Sequence, residues 1–326
     1  MTEKGAGMRV VRDPLHGGAL PRGGTVTIGN FDGVHRGHQA ILRRVAERAE
    51  EAKRPSVAIT FEPHPLAVLR PDQAPPRLQT LRQKEEGIEA LGIETLLVVP
   101  FTRDFSLTEP EEFARRFLAG RLAAAEIFLG PHFAFGRGKR GDVALLSRLG
   151  PDCGFTASSV EEVLFEGEPI SSTRIRNAIR GGRVSEAVGM LGRPYAIDGM
   201  VAKGEGLGRT LGFPTINLTP ENELYPADGV YVTRIALQSA ALPLPAVTNV
   251  GTRPTLYAEK KRTIETHVLD FSTDVYGERA RLAFFDRLRD ERAFPSREEL
   301  SRQIGRDVDA ARRWIAGAAR SAEPPG

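Results

Sequence analysis

Between residues 25 and 180, short apolar runs alternate with segments whose apolar positions recur at helical spacing. "TVTIGNF" is followed by the amphipathic "HQAILRRVAERAEEAKR", "SVAITF" by "QKEEGIEALG", and "IETLLVVPF" by "EPEEFARRFLAG"; "AEIFLG" then precedes "ALLSRLG". Runs of about 4–8 β-branched or apolar residues between helices predict βαβ units, a parallel sheet and right-handed crossovers. Leu81 and Leu91 read as core contacts in this segment.

The pattern changes near residue 190. "VSEAVGMLGRPY" reads as a short helix and a linker, after which helical spacing fades. "YAIDGMVA", "DGVYVTRIAL", "LPAVTNVG", "TIETHVLDF" and "RARLAFFDRLR" are strand-like and separated by Gly, Pro and Asp, the pattern of antiparallel pairing in a small barrel or sandwich. "SREELSRQIGRDVDAARRWIAG" returns to helix, with Ser296 as N-cap and Glu299 as its capping-box partner. The change falls within 183–193, which divides the chain into domains 1–187 and 188–326. There are no internal repeats or low-complexity tracts.

A length of 326 residues suits two domains of ordinary size, and 40% hydrophobic with 27% charged residues fits a globular chain. No window approaches the roughly 20 apolar residues of a membrane span, and "MTEKGAGMRVVRDPLHGG" has no apolar core like that of a secretory signal. The single cysteine, Cys153 in the turn-like "GPDCGF", excludes an internal disulfide, which favours the cytoplasm; it reads as a small packed residue, not a nucleophile. A net charge of +3 raises the possibility of nucleic acid, but Lys and Arg are scattered beside Asp and Glu without interleaved aromatics. Neither a nucleic-acid nor a membrane partner is expected, and oligomeric state is not readable.

"GNFDGVHRGH" supplies the first candidate chemistry. Gly29 and Gly33 permit a tight turn after a strand that ends at Ile28, and His35 and His38 open the next helix. A helix start favours anions, and two imidazoles there can donate to phosphate oxygens, with Gly37 leaving room for a phosphate or an adenine. A metal is the second reading, because two His without a Cys or a tight carboxylate cluster make an incomplete tetrahedral set. A purely structural role for both His ranks third. Downstream, "PISSTRIRNAI" places Ser171, Ser172 and Thr173 before a helix, with Arg174 and Arg176 in its first turn. Hydroxyls and guanidinium at a helix start suit a polyphosphate; alone, this stretch reads more readily as an N-cap beside a solvated Arg, and it is the His pair that turns the reading toward phosphate.

The second candidate is "AKGEGLGRTLGFPTINL". Gly204, Gly206 and Gly208 make a loop whose backbone can wrap phosphates, although it matches neither the dinucleotide fingerprint nor a P-loop. Thr215 and Asn217 share one face of a strand, where a hydroxyl and an amide oxygen suit Mg²⁺ held with ATP phosphates. In "IETHVLDF", Glu265 and His267 share a face with Thr266 on the other; Glu265 can act as general base for attack on a γ-phosphate, and His267 reads as packed.

"GNFDGVHRGH" and "ISSTRIR" resemble the two signature motifs of the nucleotidylyltransferase superfamily, and "TFEPHP" with the loop Gly130–Gly136 resembles its flavin branch. The Gly-rich loop, "FPTIN", "TNVGTRPT", "ETHVLDF" and "LRDERAF" resemble the flavokinase motifs. From about residue 8 to 315, in motif order and spacing, the chain is similar to the bacterial bifunctional riboflavin kinase/FMN adenylyltransferase (FAD synthetase) family.

That resemblance implies a Rossmann-like α/β domain followed by a six-stranded antiparallel barrel with a terminal helix. It implies phosphorylation of riboflavin by ATP to FMN, then direct adenylylation of FMN to FAD with release of pyrophosphate. His35 and His38 would stabilise developing charge, and Ser171, Ser172, Thr173 and Arg176 would hold phosphates. Gly29, Asn30, Phe31, Asp32 and Gly37 would form the ATP-binding turn, with His64 facing flavin or phosphate, or fixed in its loop by prolines. In the kinase, Gly204, Gly206, Gly208 and Arg209 would bind ATP, Thr215 and Asn217 would coordinate Mg²⁺, and Glu265 would activate the ribityl hydroxyl. Asn249 and Arg253 would shape the loop, and Arg289 would reach flavin or product phosphate. Two departures stand out. The family generally has Asp or Asn where this chain has His132, which admits an alternative of an active kinase with a weak or inactive adenylyltransferase. The usual "LYGE" is "VYGE".

Overall fold

The computed structural model of the chain describes residues 7–204, 207–254 and 260–321. The chain separates into two compact units, Met1–Ser172 and Thr173–Gly326.

The first unit runs β1 (Arg9–Arg12), β2 (Thr25–Ile28), α1 (Arg36–Ala52), β3 (Ser56–Glu62), α2 (Pro65–Leu69), α3 (Leu81–Glu89), β4 (Thr95–Pro100), α4 (Pro110–Glu112), β5 (Glu126–Leu129), α5 (Val143–Cys153), β6 (Thr156–Ser159), β7 (Leu164–Phe165) and β8 (Glu168–Pro169). Strands β1 to β6 form one parallel sheet in the order β1-β4-β3-β2-β5-β6, and β7 and β8 pair by themselves. β1 and β6 were not among the expected strands. They lie at the two sheet edges with mostly half-buried or exposed residues, so their sequences lack the apolar run that marks β3 and β4.

Burial on both faces explains those runs. In β3 and β4, Val57, Ile59, Phe61, Leu97 and Val99 belong to one core cluster, and the alternating Ala58, Leu96 and Val98 to the cluster on the opposite face. Leu91 packs against the latter, as expected. The predicted helix over "EPEEFARRFLAG" forms, but after α4 it winds as a π-helix, Phe113–Arg121, which buries Phe113, Ala114, Phe117 and Leu118. Sheet order reverses direction at β2, whose neighbours are β3 and β5. In such sheets ligands bind beyond the strand carboxyl ends at this switch point, and "GNFDGVHRGH" is the turn that leaves β2.

The helix α6 (Ser172–Arg180) begins at the division. The second unit continues with α7 (Val184–Leu191), β9 (Tyr195–Ala202), α8 (Leu207–Thr210), β10 (Ile216–Pro220), β11 (Gly229–Leu237), β12 (Leu244–Pro254), β13 (Lys260–Val268), β14 (Arg279–Asp290) and α9 (Arg297–Ser321). Strands β9 to β14 close an antiparallel barrel in the order β10-β13-β12-β11-β14-β9, with β9 pairing back to β10. This resolves the barrel-or-sandwich alternative. Tyr195, Phe284 and Tyr231 are buried together, with Phe284 edge-on to Tyr231 at 5.5 Å. The buried Thr233, Thr248 and Thr266 join their hydroxyls across three strands at 2.8 and 3.0 Å. The alternate face of β11 and β12 presents Val230, Val232 and Val247 to α9, which covers them with Val308, Ala311, Trp314 and Ile315. Ser296 Oγ accepts from Glu299 N at 3.2 Å, the expected cap of α9.

Candidate active sites

The turn after β2 is compressed and backed from several elements. Phe31 and Val34 take left-handed backbone conformations at φ 46° and 39°, beside Gly33 at 92°. A β-branched residue pays for such a φ in steric strain, so the turn must be held from outside. The hydroxyl of Thr60, on β3, donates to the Asn30 carbonyl at 3.3 Å, and Gln79 Nε2 donates to the Phe31 carbonyl at 3.0 Å. Asp32 Oδ1 accepts from Leu78 N at 3.0 Å, and Ser172 Oγ donates to the Asp32 carbonyl at 2.9 Å.

The structure changes the reading of several turn residues. Phe31 is 1% exposed and belongs to the core, with its ring 2.9 Å from where a Gly29 Cβ would lie. Only its backbone can meet a ligand, and Gly29 makes room for this ring. At Gly37 the space beside the missing Cβ holds the His35 ring, 3.2 Å away. His35 caps α1, its Nδ1 accepting from His38 N at 3.3 Å. The cap gives His35 a structural part, and in the neutral ring it puts the proton on Nε2. The His35 and His38 rings stack at 3.6 Å. Burial, then the neighbouring His35 and Lys84, hold the His38 imidazole well below its usual pKa range. His38 is therefore a neutral imidazole at neutral pH, and its buried Nδ1 has no hydrogen-bond partner among the described residues. Among the described residues no group of three or more His, Cys, Asp or Glu is placed to hold a metal ion.

Asn30, from the same turn, lines a cavity of about 510 Å³. Its walls include Phe61, Phe101, Phe105, Phe113, Phe133 and Phe135, with Phe61 and Phe101 edge-on at 5.9 Å. Arg137, Lys139 and His132 also line it. Such a site suits a large planar aromatic ligand with an anionic end. His132 is an exposed residue 3.3 Å from Glu162 Oε1. His64 caps α2, its Nδ1 accepting from Leu66 N at 3.2 Å; it lines a separate crevice with Asp32, Arg77 and Lys84. This favours the loop-residue reading of His64.

Ser171 and Ser172 end the first unit, while Thr173 and Arg176 fall in the second. Ser172's proton is directed to the Asp32 carbonyl, so in this arrangement its hydroxyl supports the turn instead of donating to a phosphate. Arg176 is 5% exposed.

In the barrel, strand register assembles the second site. Asn217 on β10 and Asn249 on β12 both pair with Glu265 on β13, placing one row of polar side chains across three strands. Thr266 is buried in the barrel, so Glu265 and His267 lie on the face toward α9. A cavity of about 280 Å³ opens there, lined by Thr215, Asn249, Glu265, His267, Arg289 and Asp307, with Phe213 and Gly208 from the loop. His267 does more than pack: its Nδ1 lies 2.8 Å from the Pro214 carbonyl, fixing the chain where it enters Thr215.

The glycines of this loop make room for side chains. A Cβ on Gly204 would lie 1.9 Å from Asn217 Nδ2, and one on Gly208 would lie 2.4 Å from the Phe213 carbonyl and 3.1 Å from Thr215 Oγ1. Gly206 lies outside the described residues, and Arg209 is exposed on α8. Of Arg253 only the backbone is described, paired with Lys261. The expectation that Arg289 reaches the flavin meets a competitor: its Nε and Nη2 donate to Asp307 at 3.0 and 2.7 Å.

Comparison with known proteins agrees with this two-part geometry. The FAD synthetase family matches residues 19–174, and the riboflavin kinase family matches residues 191–315. The bifunctional riboflavin kinase/FMN adenylyltransferase of Escherichia coli (strain K12) is 38% identical over 309 residues, covering 94% of this chain and 98% of that protein. That of Pseudomonas fluorescens is 39% identical over 298 residues, covering 91% and 95%. A crystal structure from Streptococcus pneumoniae titled as a macrolide-efflux protein matches with a TM-score of 0.85 at 31% identity, covering 94% of this chain and 100% of that one. The chain belongs to the bifunctional riboflavin kinase/FMN adenylyltransferase family. It is an enzyme that phosphorylates riboflavin to FMN with ATP and adenylylates FMN with ATP to FAD and pyrophosphate. Nothing in the comparisons favours a kinase with a silent adenylyltransferase. No helix among the described residues is long and apolar enough to cross a membrane.

Sequence reasoning missed the residues behind these sites: Thr60, Gln79 and Lys84 around the turn, and Glu291 and Asp307 in the barrel. Glu291 Oε1 accepts from Asn249 Nδ2 at 3.4 Å. Thr60 and Glu291 lie inside the quoted "TFEPHP" and "LRDERAF" but were given no role of their own, while Gln79, Lys84 and Asp307 lie in none of the quoted motifs. Their roles arise from positions brought together by different elements.

Proposed function

We propose that the barrel cavity is the riboflavin kinase centre and the turn after β2 the adenylyl-transfer centre. The observation that carries the kinase reading is the row Asn217–Glu265–Asn249 beside Thr215. Glu265 accepts the proton of the ribityl terminal hydroxyl as its oxygen attacks the γ-phosphorus of ATP; the bond to ADP breaks, and ADP leaves. Thr215 and Asn217 fit Mg²⁺, since both offer neutral oxygens and a hard cation takes its remaining ligands from phosphate and water. When bound, Mg²⁺ would neutralise charge on the phosphates. Asn249 orders the wall beside Glu265, Arg209 and the glycine loop take the ATP phosphates, and Arg289 with Asp307 closes the α9 side.

In the first unit, the FMN phosphate attacks the α-phosphorus of the second ATP and pyrophosphate leaves, with no covalent enzyme intermediate. The stacked His35 and His38 at the start of α1 support this reading, as hydrogen-bond donors aimed at oxygens whose charge grows in the transition state. The aromatic cavity with Arg137 and Lys139 takes the flavin. The domain division at 187/188 lies between the two family matches. A cytoplasmic location accords with the single cysteine, and the scattered charge argues against nucleic-acid or membrane partners.

The deciding assay gives the pure protein riboflavin, ATP and Mg²⁺ and follows products by chromatography. FMN appears first and FAD second, and chelation by EDTA stops FMN formation. FMN accumulation without FAD defeats the adenylyltransferase assignment, and FMN formation at an undiminished rate in EDTA defeats the metal assignment.

A further inference from the structure

Behind the His-bearing turn lies a buried lysine that the reaction as described does not use. Lys84 sits on α3 with 6% of its surface exposed. Burying an ammonium is unfavourable unless it is compensated, and an aliphatic side chain would fill the same space without that penalty. Lys84 Nζ lies 3.4 Å from Thr60 Oγ1, and that hydroxyl donates in turn to the Asn30 carbonyl at 3.3 Å. The hydroxyl can do both, accepting from the ammonium and donating to the carbonyl.

The charged surroundings come from every neighbouring element. The turn contributes Asp32, β3 contributes Glu62, the segment before α3 contributes Arg77, and α3 contributes Glu85. His64 shares the crevice. Glu62 pairs with Arg77 at 2.9 Å, and Arg12 pairs with Glu85 at 2.8 Å. On the other side of the turn, His38 faces His35 and Lys84.

We propose that Lys84 is a positioning residue for adenylyl transfer: through the Thr60 hydroxyl its ammonium holds the Asn30 carbonyl, and so the strained turn that aims His35 and His38. The same charge keeps a second positive charge off His38. A one-ångström displacement of a positioned group costs up to about 100-fold in rate, so a lost tether registers in turnover. The proposal rests on the adenylyltransferase assignment, which FAD formation by the unaltered enzyme checks separately.

The test compares full-length Lys84→Met, Lys84→Arg and Thr60→Val. FMN-to-FAD turnover is measured alongside riboflavin phosphorylation, the latter as an internal control of folding. NMR titration follows the His38 ring. Lys84→Met lowers kcat for FAD formation about 10-fold or more with KM for FMN within about 3-fold, and the His38 ring titrates at higher pH than in the unaltered enzyme. Lys84→Arg recovers part of the rate. Thr60→Val, which keeps the volume and cuts the link, lowers kcat in the same direction without removing the charge; it decides the question if Lys84→Met fails to fold. A kcat within about 2-fold of the unaltered enzyme in Lys84→Met or Thr60→Val overturns the proposal, as does an unmoved His38 titration in Lys84→Met.

Discussion

At the scale of single residues, two kinds of constraint shape these sites. In the turn after β2 the constraint is backbone strain: Phe31 and Val34 occupy the left-handed region, and Thr60, Leu78 and Gln79 hold the turn by hydrogen bonds. In the barrel the constraint is space. Gly204 has an ordinary φ, yet an added Cβ falls 1.9 Å from Asn217 Nδ2, so Gly204→Ala must push Asn217 out of its row with Glu265. Riboflavin phosphorylation by Gly204→Ala is expected to drop about 100-fold, with FMN-to-FAD conversion unchanged. A variant that phosphorylates riboflavin at the normal rate shows that Asn217 is not needed where the structure puts it. The glycine and the asparagine were both visible as candidates in the sequence. Their contact was not, because thirteen positions separate them and only the return of the chain through β10 brings them together.

At the scale of elements, α9 walls the barrel cavity with Leu300, Ile304 and Asp307. Its Asp307 takes the Arg289 guanidinium of β14 and the Gln303 amide at 2.8 Å, and its Ser301 hydroxyl donates to the Leu211 carbonyl of the glycine loop at 3.4 Å. Removing one partner of a largely buried ion pair strands the other charge. Asp307→Ala is therefore expected to destabilise the barrel by about 3 kcal/mol, read as an earlier urea midpoint. The single tryptophan, Trp314 on α9, donates to Asp286 Oδ2 at 3.1 Å and reports this directly by fluorescence. An unchanged midpoint removes Asp307 from the account of barrel stability. The helix itself was legible from its spacing and its Ser296 cap. Its task was not, since "RQIGRDVDAARRW" shows an amphipathic face without saying which strand meets it.

For the molecule as a whole, the FAD synthetase match covers most of the first compact unit and the riboflavin kinase match lies in the second, and each unit has a cavity of its own. Glu265→Gln is expected to abolish FMN formation from riboflavin and leave FMN-to-FAD conversion intact. His38→Ala is expected to lower FAD formation about 100-fold while FMN still forms. Chromatography of both reactions for each variant checks the division; loss of both activities in either one rejects it. By itself the sequence determined the order of the architecture, βαβ units and then antiparallel strands, because apolar periodicity follows from which faces of each element are buried. It also supplied the candidate reacting groups, since "GNFDGVHRGH" and "ETHVLDF" each gather theirs within one short segment. Only the tertiary structure decided that strand register sets Asn217 and Asn249 on either side of Glu265, that Phe31 turns into the core, and that Lys84 stands behind the histidine turn. Such relations join side chains far apart in sequence, and the free energy that selects them comes from packing and pairing between elements, which no local pattern encodes.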